Sequence, residues 1–331
     1  MKFIEVVVNL LRRIPKRIIG LIFAVLVVAF FALYLRSVDW QRLAHLHFAW
    51  GYLLAATGFA LITRYLFVVI WRFILTDLGA KKLPHFRIMA DVYARAWMGR
   101  YIPGTVTWIA GKVYLAASHG ISKSRLAVSS LLEGGMQVIA ILVVAMALLG
   151  FDTRLSVIPG QYKILMIIVA VGLLIALSPP AFNRIIRLGF FIIKKRQPDG
   201  ELRINGKAAL RAFALYAMSG FILGVSEFFI SRTIAPSLPW RDFFYVIGAF
   251  NLAGAIGILA IGVPSGLGVR DGILLVLLAA IMPKEIALAI TVTSRLWSAL
   301  VDVLFFSVAA LARRLGNNYQ KPPLKNLKSV E

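Results

Sequence analysis

The chain has 331 residues, of which 60% are hydrophobic and only 15% charged, and apolar runs of about twenty residues recur along its length. That excludes an ordinary soluble domain. It reads as an all-α polytopic membrane protein, because lipid leaves backbone groups no water to bond and barrel strands would be short and alternating. The net charge of +23 fits basic loops facing anionic lipid and gives no reason to invoke nucleic acid, and the lack of cysteine excludes disulfides, thiolate metal sites and thiol catalysis.

In chain order, residues 1–17 form a basic N-terminus, followed by "IIGLIFAVLVVAFFALYL", a first span at 18–35 with no small-residue cleavage site after it. Further spans are expected at 49–75, 126–150, 161–178, 208–233, 241–262, 265–282 and 286–312, eight in all. Residues 83–120 are too long and apolar for a loop and too basic for a clean span, so a re-entrant helical hairpin is expected there. The linker 179–207 interleaves arginines with apolar residues, as an interfacial amphipathic helix does. It separates two halves of one membrane domain, 18–178 and 208–312, and a polar, disordered tail follows at 313–331.

The cations sort by side. Segments 1–17, 76–125, 179–211 and 313–331 hold 26, whereas the opposite loops hold six. The positive-inside rule therefore puts both termini in the cytoplasm, with the protein in the cell inner membrane.

Two segments break the apolar pattern: "GRYIPGTVTWIAGKVYLA", with Pro103, Gly104 and Gly111, and "GVPSGLGVRDGILLVLLA", with Pro264, Gly266 and Gly268. Proline interrupts a helix, and glycine permits turns and close approach. Glu133 lies 30 residues beyond Pro103, and Arg295 lies 31 beyond Pro264. Interrupted segments at matching places in two halves point to an internal two-fold repeat with a transporter-like site, and to one or two re-entrant hairpins.

These motifs, with "LLEGG" after the first and "TVTSRLWSALVDVLFF" after the second, resemble the lysylphosphatidylglycerol synthase transmembrane-region family, or flippase-like domain family, over nearly the whole chain. Tyr101, Lys112 and Tyr114 belong to the first motif, and Arg270 and Gly272 to the second. The family usually has a glutamate where this chain has Asp271, which keeps the charge and shortens its reach. Members with synthase activity add a soluble aminoacyl-transfer domain, which this chain is expected to lack. The resemblance implies an integral protein that moves lipids between leaflets, and not an enzyme.

Charges at mid-bilayer cost about 2.5–3.5 kcal/mol each on insertion scales, so several together are expected to face a polar interior. The intramembrane set is Arg64, Glu133, Gln137, Glu227, Arg295 and Asp302. Interhelical pairing is the plain reading; a groove for a charged headgroup is the functional one. Arg270 stands at a broken helix start, where free N–H groups favour an anion, and Asp271 there reads as a cap or a groove residue. Arg64, Arg100, Lys112, Arg270 and Arg295 are thus the expected headgroup-binding cations. Glu133, Gln137, Glu227, Asp271 and Asp302 are the polar or coupling set.

The partners expected are membrane lipids, an anionic phospholipid or a polyprenyl-phosphate-linked lipid. No nucleic acid, metal or cofactor is expected; the four histidines fall in loops without ligand spacing. Ala249, Ala253 and Gly257, four apart, read as close helix packing within the chain or in a homo-oligomer. The alternative functions are a small-solute or ion-coupled transporter and an accessory protein that recruits a lipid-modifying enzyme.

Overall fold

The computed structural model describes residues 48–80, 82–101, 107–150, 152, 168, 171, 172, 175, 184, 205–260, 266 and 268–318. Among these residues the regular structure is helical throughout, with no strand. The helices are α1 (Trp50–Asp77), α2 (Phe86–Met98), α3 (Thr107–Ala117), α4 (Lys123–Gly150), α5 (Gly206–Ile234), α6 (Phe243–Leu259), α7 (Val269–Ala279) and α8 (Lys284–Asn318), with short 3-10 turns at Gly99–Tyr101 and Trp240–Asp242.

Among the described residues, five segments are long and apolar enough to cross a bilayer: Trp50–Asp77, Lys123–Gly150, Gly206–Ile234, Trp240–Leu259 and Lys284–Leu315. The chain is a multi-pass membrane protein. The start of each lies within three residues of the position the apolar runs suggest. The expected spans at 18–35 and 161–178, the N-terminus 1–17, nearly all of the linker 179–207 and the tail from 319 lie outside the described residues.

The expected span at 265–282 takes a different form. Its helix α7 has 11 residues, about 16 Å at 1.5 Å per residue, against a hydrocarbon core of about 30 Å. Gly266 and Gly268 with φ of +64° and +77° hold its start, and the chain turns again at Ala280–Met282 before Pro283. Likewise α2 and α3, of 13 and 11 residues, are each too short to span. They pack on each other where Gly111 meets Ala96; a Cβ at Gly111 would stand 3.3 Å from the Ala96 Cα.

Helices α1 and α5 run antiparallel along their whole length. Asp77 pairs with Arg211, Phe67 packs on Tyr216, Ser226 donates to the Ala56 carbonyl, and the Ala49 N–H donates to the Thr233 carbonyl. On the next face of α5, Gly220 and Gly224, four apart, receive Asn251 and Ile247 of α6. A Cβ on Gly224 would come within 2.5 Å of the Ile247 side chain. Buried Asn251 donates to the Gly220 carbonyl and to Ile247 O, so the small-residue seam also satisfies its amide. The Ala249–Ala253–Gly257 stripe packs inside the chain: both alanines are fully buried, and Gly257 lies against Gly266 and Arg270.

Three cross-links gather the basic segments at one end of the bundle. Arg211 bonds Asp77, Arg125 donates to the Leu78 carbonyl at the end of α1, and Arg313 pairs with Asp91. The surroundings of Asp77–Leu78, Asp91, Arg125, Arg211 and Arg313 therefore lie together.

Candidate functional site

The charged residues inside the bundle assemble around three carboxylates. Asp302, on α8 and 1% exposed, accepts from three side chains and is ion-paired with a fourth. Its Oδ1 takes Arg64 Nε at 2.7 Å and Trp97 Nε1 at 3.1 Å; its Oδ2 takes the Tyr101 hydroxyl at 2.6 Å and lies 3.5 Å from Arg100 Nη1. Arg100 also stacks over Trp97 and Tyr101, with its guanidinium carbon 4.8 and 5.5 Å from the ring centres. One acid thus ties α1, α2 and the 3-10 turn to α8. Removing the acid would orphan the buried Arg64 guanidinium, which is 3% exposed and cannot reach water.

The second cluster joins α5, α7 and α8. Glu227 accepts from the Ser294 hydroxyl at 2.7 Å and from Arg270 Nη2 at 3.4 Å, and Arg270 also lies 3.3 Å from Ser294 Oγ. Arg270 is seated by Gly257, where a Cβ would come within 2.8 Å of the arginine's own Cβ. Asp271 turns back on its own helix: its carboxylate accepts the Gly268 N–H at 3.2 Å, half of a capping box whose other half glycine cannot supply.

Half-buried Arg295 links these two clusters, within electrostatic range of Asp271, Arg270, Arg100 and Tyr101. Among the described residues, four guanidiniums and three carboxylates lie in this region. At the 3-10 turn, Tyr101 is 37% exposed and the Arg100 side chain 22%.

Glu133 and Lys112 form a separate unit. Lys112 is fully buried and bonds one oxygen of Glu133, while the Tyr93 hydroxyl donates to the other. Its ammonium lies 3.8, 4.7 and 5.1 Å from the ring centres of Tyr93, Trp108 and Trp71, an aromatic enclosure that favours a cation. The structure does not bring Lys112 or Glu133 to the four arginines; a Tyr93–Trp97 stack at 5.8 Å lies between. Gln137 sits one turn beyond Glu133, half-buried. Pro103, Gly104 and Pro264 lie outside the described residues, whereas Gly111, Gly266 and Gly268 each make the close approach or positive φ that glycine allows.

Sequence reading passed over Trp97, Tyr93, Trp71, Trp108 and Ser294. A signal existed for the tryptophans: a buried indole N–H needs an acceptor, so Trp97 and Trp71 had to point at polar partners, which are Asp302 and Ser129.

Two comparisons with known proteins bear on this arrangement. The profile of the family described as "Lysylphosphatidylglycerol synthase TM region" matches residues 17–305. No curated protein gives a significant match.

Proposed function

The chain belongs to the lysylphosphatidylglycerol synthase TM-region family, and from that premise we propose that it is a lipid translocator of the cell inner membrane, with both termini cytoplasmic. It binds an anionic lipid headgroup in the polar groove among α1, α7, α8 and the 3-10 turn while the lipid tails stay in the bilayer. The two broken segments act as re-entrant elements that carry irregular backbone to membrane depth. The observation that supports this best is the gathering of Arg64 and Arg100 on Asp302 and of Arg270 on Glu227, with Arg295 in electrostatic range. Clustered guanidiniums suit a phosphodiester monoanion.

The contact lengths divide the labour. Arg64 is held at 2.7 Å and is closed off, so it positions Asp302. Arg270 is held loosely by Glu227, at 3.4 Å, and is partly open, and the Arg100 side chain, 3.5 Å from Asp302, is 22% exposed. A phosphate competes first for these two. When they turn to the ligand, Asp302 keeps Arg64, Trp97 and Tyr101, and Glu227 keeps Ser294, so neither acid is left bare.

The test is transfer of a fluorescent phosphatidylglycerol between leaflets of reconstituted vesicles. Arg270→Gln and Arg100→Gln should each slow transfer about tenfold or more, the loss of one charge-assisted contact. Purified yield and thermal midpoint should stay near wild type. Transfer unchanged in both variants would overturn the groove reading. Uptake of a soluble solute in place of lipid would point to the solute-transporter alternative.

A further inference from the structure

A second basic feature lies away from the groove, at the end of the bundle where the basic segments gather. A cavity of about 390 Å³ opens between α2, α3 and α8, lined by Arg95, Leu115, Ala310, Arg313 and Arg314. On α8 its lining begins at Ala310, 8 residues from Asp302 and about 12 Å along the helix, and shares no residue with the groove.

Its arginines are organised from beneath. Asp91 on α2 is fully buried, and both its oxygens accept from Arg95 Nε at 2.9 Å. Arg313 Nη1 adds a bond to Oδ2 at 2.5 Å. Burial pushes the Asp91 carboxyl up, but the bonds from Arg95 and Arg313 outweigh it and hold it below the usual carboxylate range, so it is ionised at neutral pH. Arg95 is bound through Nε, which leaves its two terminal nitrogens turned to other uses, and its guanidinium packs 5.6 Å from the Phe306 ring centre. Its side chain is 44% exposed and that of Arg313 35%. Exposed Arg314 has no ion pair among the described residues. Three guanidiniums stand against one carboxylate, two positive charges in excess, in a concave site with a fixed rear wall. Purely surface arginines would be solvated singly and spread apart; here a buried acid holds two of them side by side.

We propose that this cavity is a second anion site, distinct from the groove, which takes a phosphate group through Arg95, Arg313 and Arg314. Leu311 and Leu315, 57% and 53% exposed, neighbour Arg314 on α8, and Tyr114, 82% exposed, precedes Leu115 on α3. This apolar rim lies where the acyl chains of a bound lipid would run, while the cavity itself would equally admit a free phosphate. The site stands independently of the translocation reading, because its readout is binding.

Two arms test it on the full chain. In detergent, inorganic phosphate is titrated and thermal stability followed. In phosphatidylcholine nanodiscs with and without phosphatidylglycerol, retained lipid is counted by native mass spectrometry. Arg314→Gln should weaken whichever binding is seen by about tenfold. Arg313→Gln should do so as well, but it removes a partner of Asp91, so Arg314→Gln carries the test free of any folding defect. Phosphate stabilisation lost in Arg314→Gln supports a free-phosphate site. Retained phosphatidylglycerol reduced in that variant, without a phosphate effect, supports a lipid headgroup. Arg314→Gln indistinguishable from wild type in both arms overturns the proposal.

Discussion

At the scale of the residue, Lys112 shows how a buried charge can be satisfied wholly within the protein. Its ammonium has no exposure, one acid and three rings around it. Lys112→Met should therefore destabilise the protein by about 3–5 kcal/mol, because Glu133 is left uncompensated. Adding Glu133→Gln, which keeps an acceptor for Tyr93, should recover most of that loss. Thermal unfolding of the two variants in detergent measures it; a harmless single variant would mean that the pair is not buried. The sequence did identify nearly all the charged groups inside the membrane, because their desolvation cost makes each conspicuous. It could not pair them. Arg64 and Asp302 are 238 residues apart, and no local pattern links them. Only the Asp91–Arg95 pair, four apart on one helix face, was legible in principle, and Arg95 had been counted among ordinary basic-side charges.

At the scale of the element, the long helices were readable because hydrocarbon thickness fixes the length of an apolar run. α7 was not, because its composition matches that of a span while its length is decided by the turns at either end. Gly266 governs the first of these. A Cβ there would sit 2.7 Å from the Gly257 Cα and 2.8 Å from its carbonyl oxygen, both backbone atoms that cannot swing aside. The positive φ adds about 1–2 kcal/mol for any L side chain. Gly266→Ala should thus lower the thermal midpoint, displace Arg270 and cut lipid transfer about tenfold or more. Gly272→Ala, with open space around it, should leave both near wild type and gain slightly in helix propensity. Equal behaviour of the two variants would show that the turn does not seat the arginine. The Gly220–Gly224 seam against α6 escaped sequence reading, since single glycines within apolar helices are common and only the facing Asn251 and Ile247 give these two their purpose.

At the scale of the whole molecule, the charge asymmetry and the fold agree on one basic end. The contacts of Asp77 with Arg211, Leu78 with Arg125 and Asp91 with Arg313 place distant segments there together. Because the natural chain has no cysteine, single reporters test orientation cleanly. Lys82→Cys, exposed at the basic end, should resist a membrane-impermeant maleimide in intact cells, and Ser237→Cys, exposed before the turn at Trp240–Asp242, should react. The reverse pattern would invert the topology.

On the proposed function, the graded contacts around Asp302 and Glu227 also set a timescale. A site whose cations were all locked at 2.7 Å would refuse the headgroup, and one whose cations were all unopposed would keep it. On the proposed function, the loosely held Arg270 passes between Glu227 and an incoming phosphate, so every arrival is a substitution, and the displaced acid waits nearby to reverse it. Residence is then short by construction: the protein's own carboxylates act as the eluent, and turnover is gained at the expense of affinity.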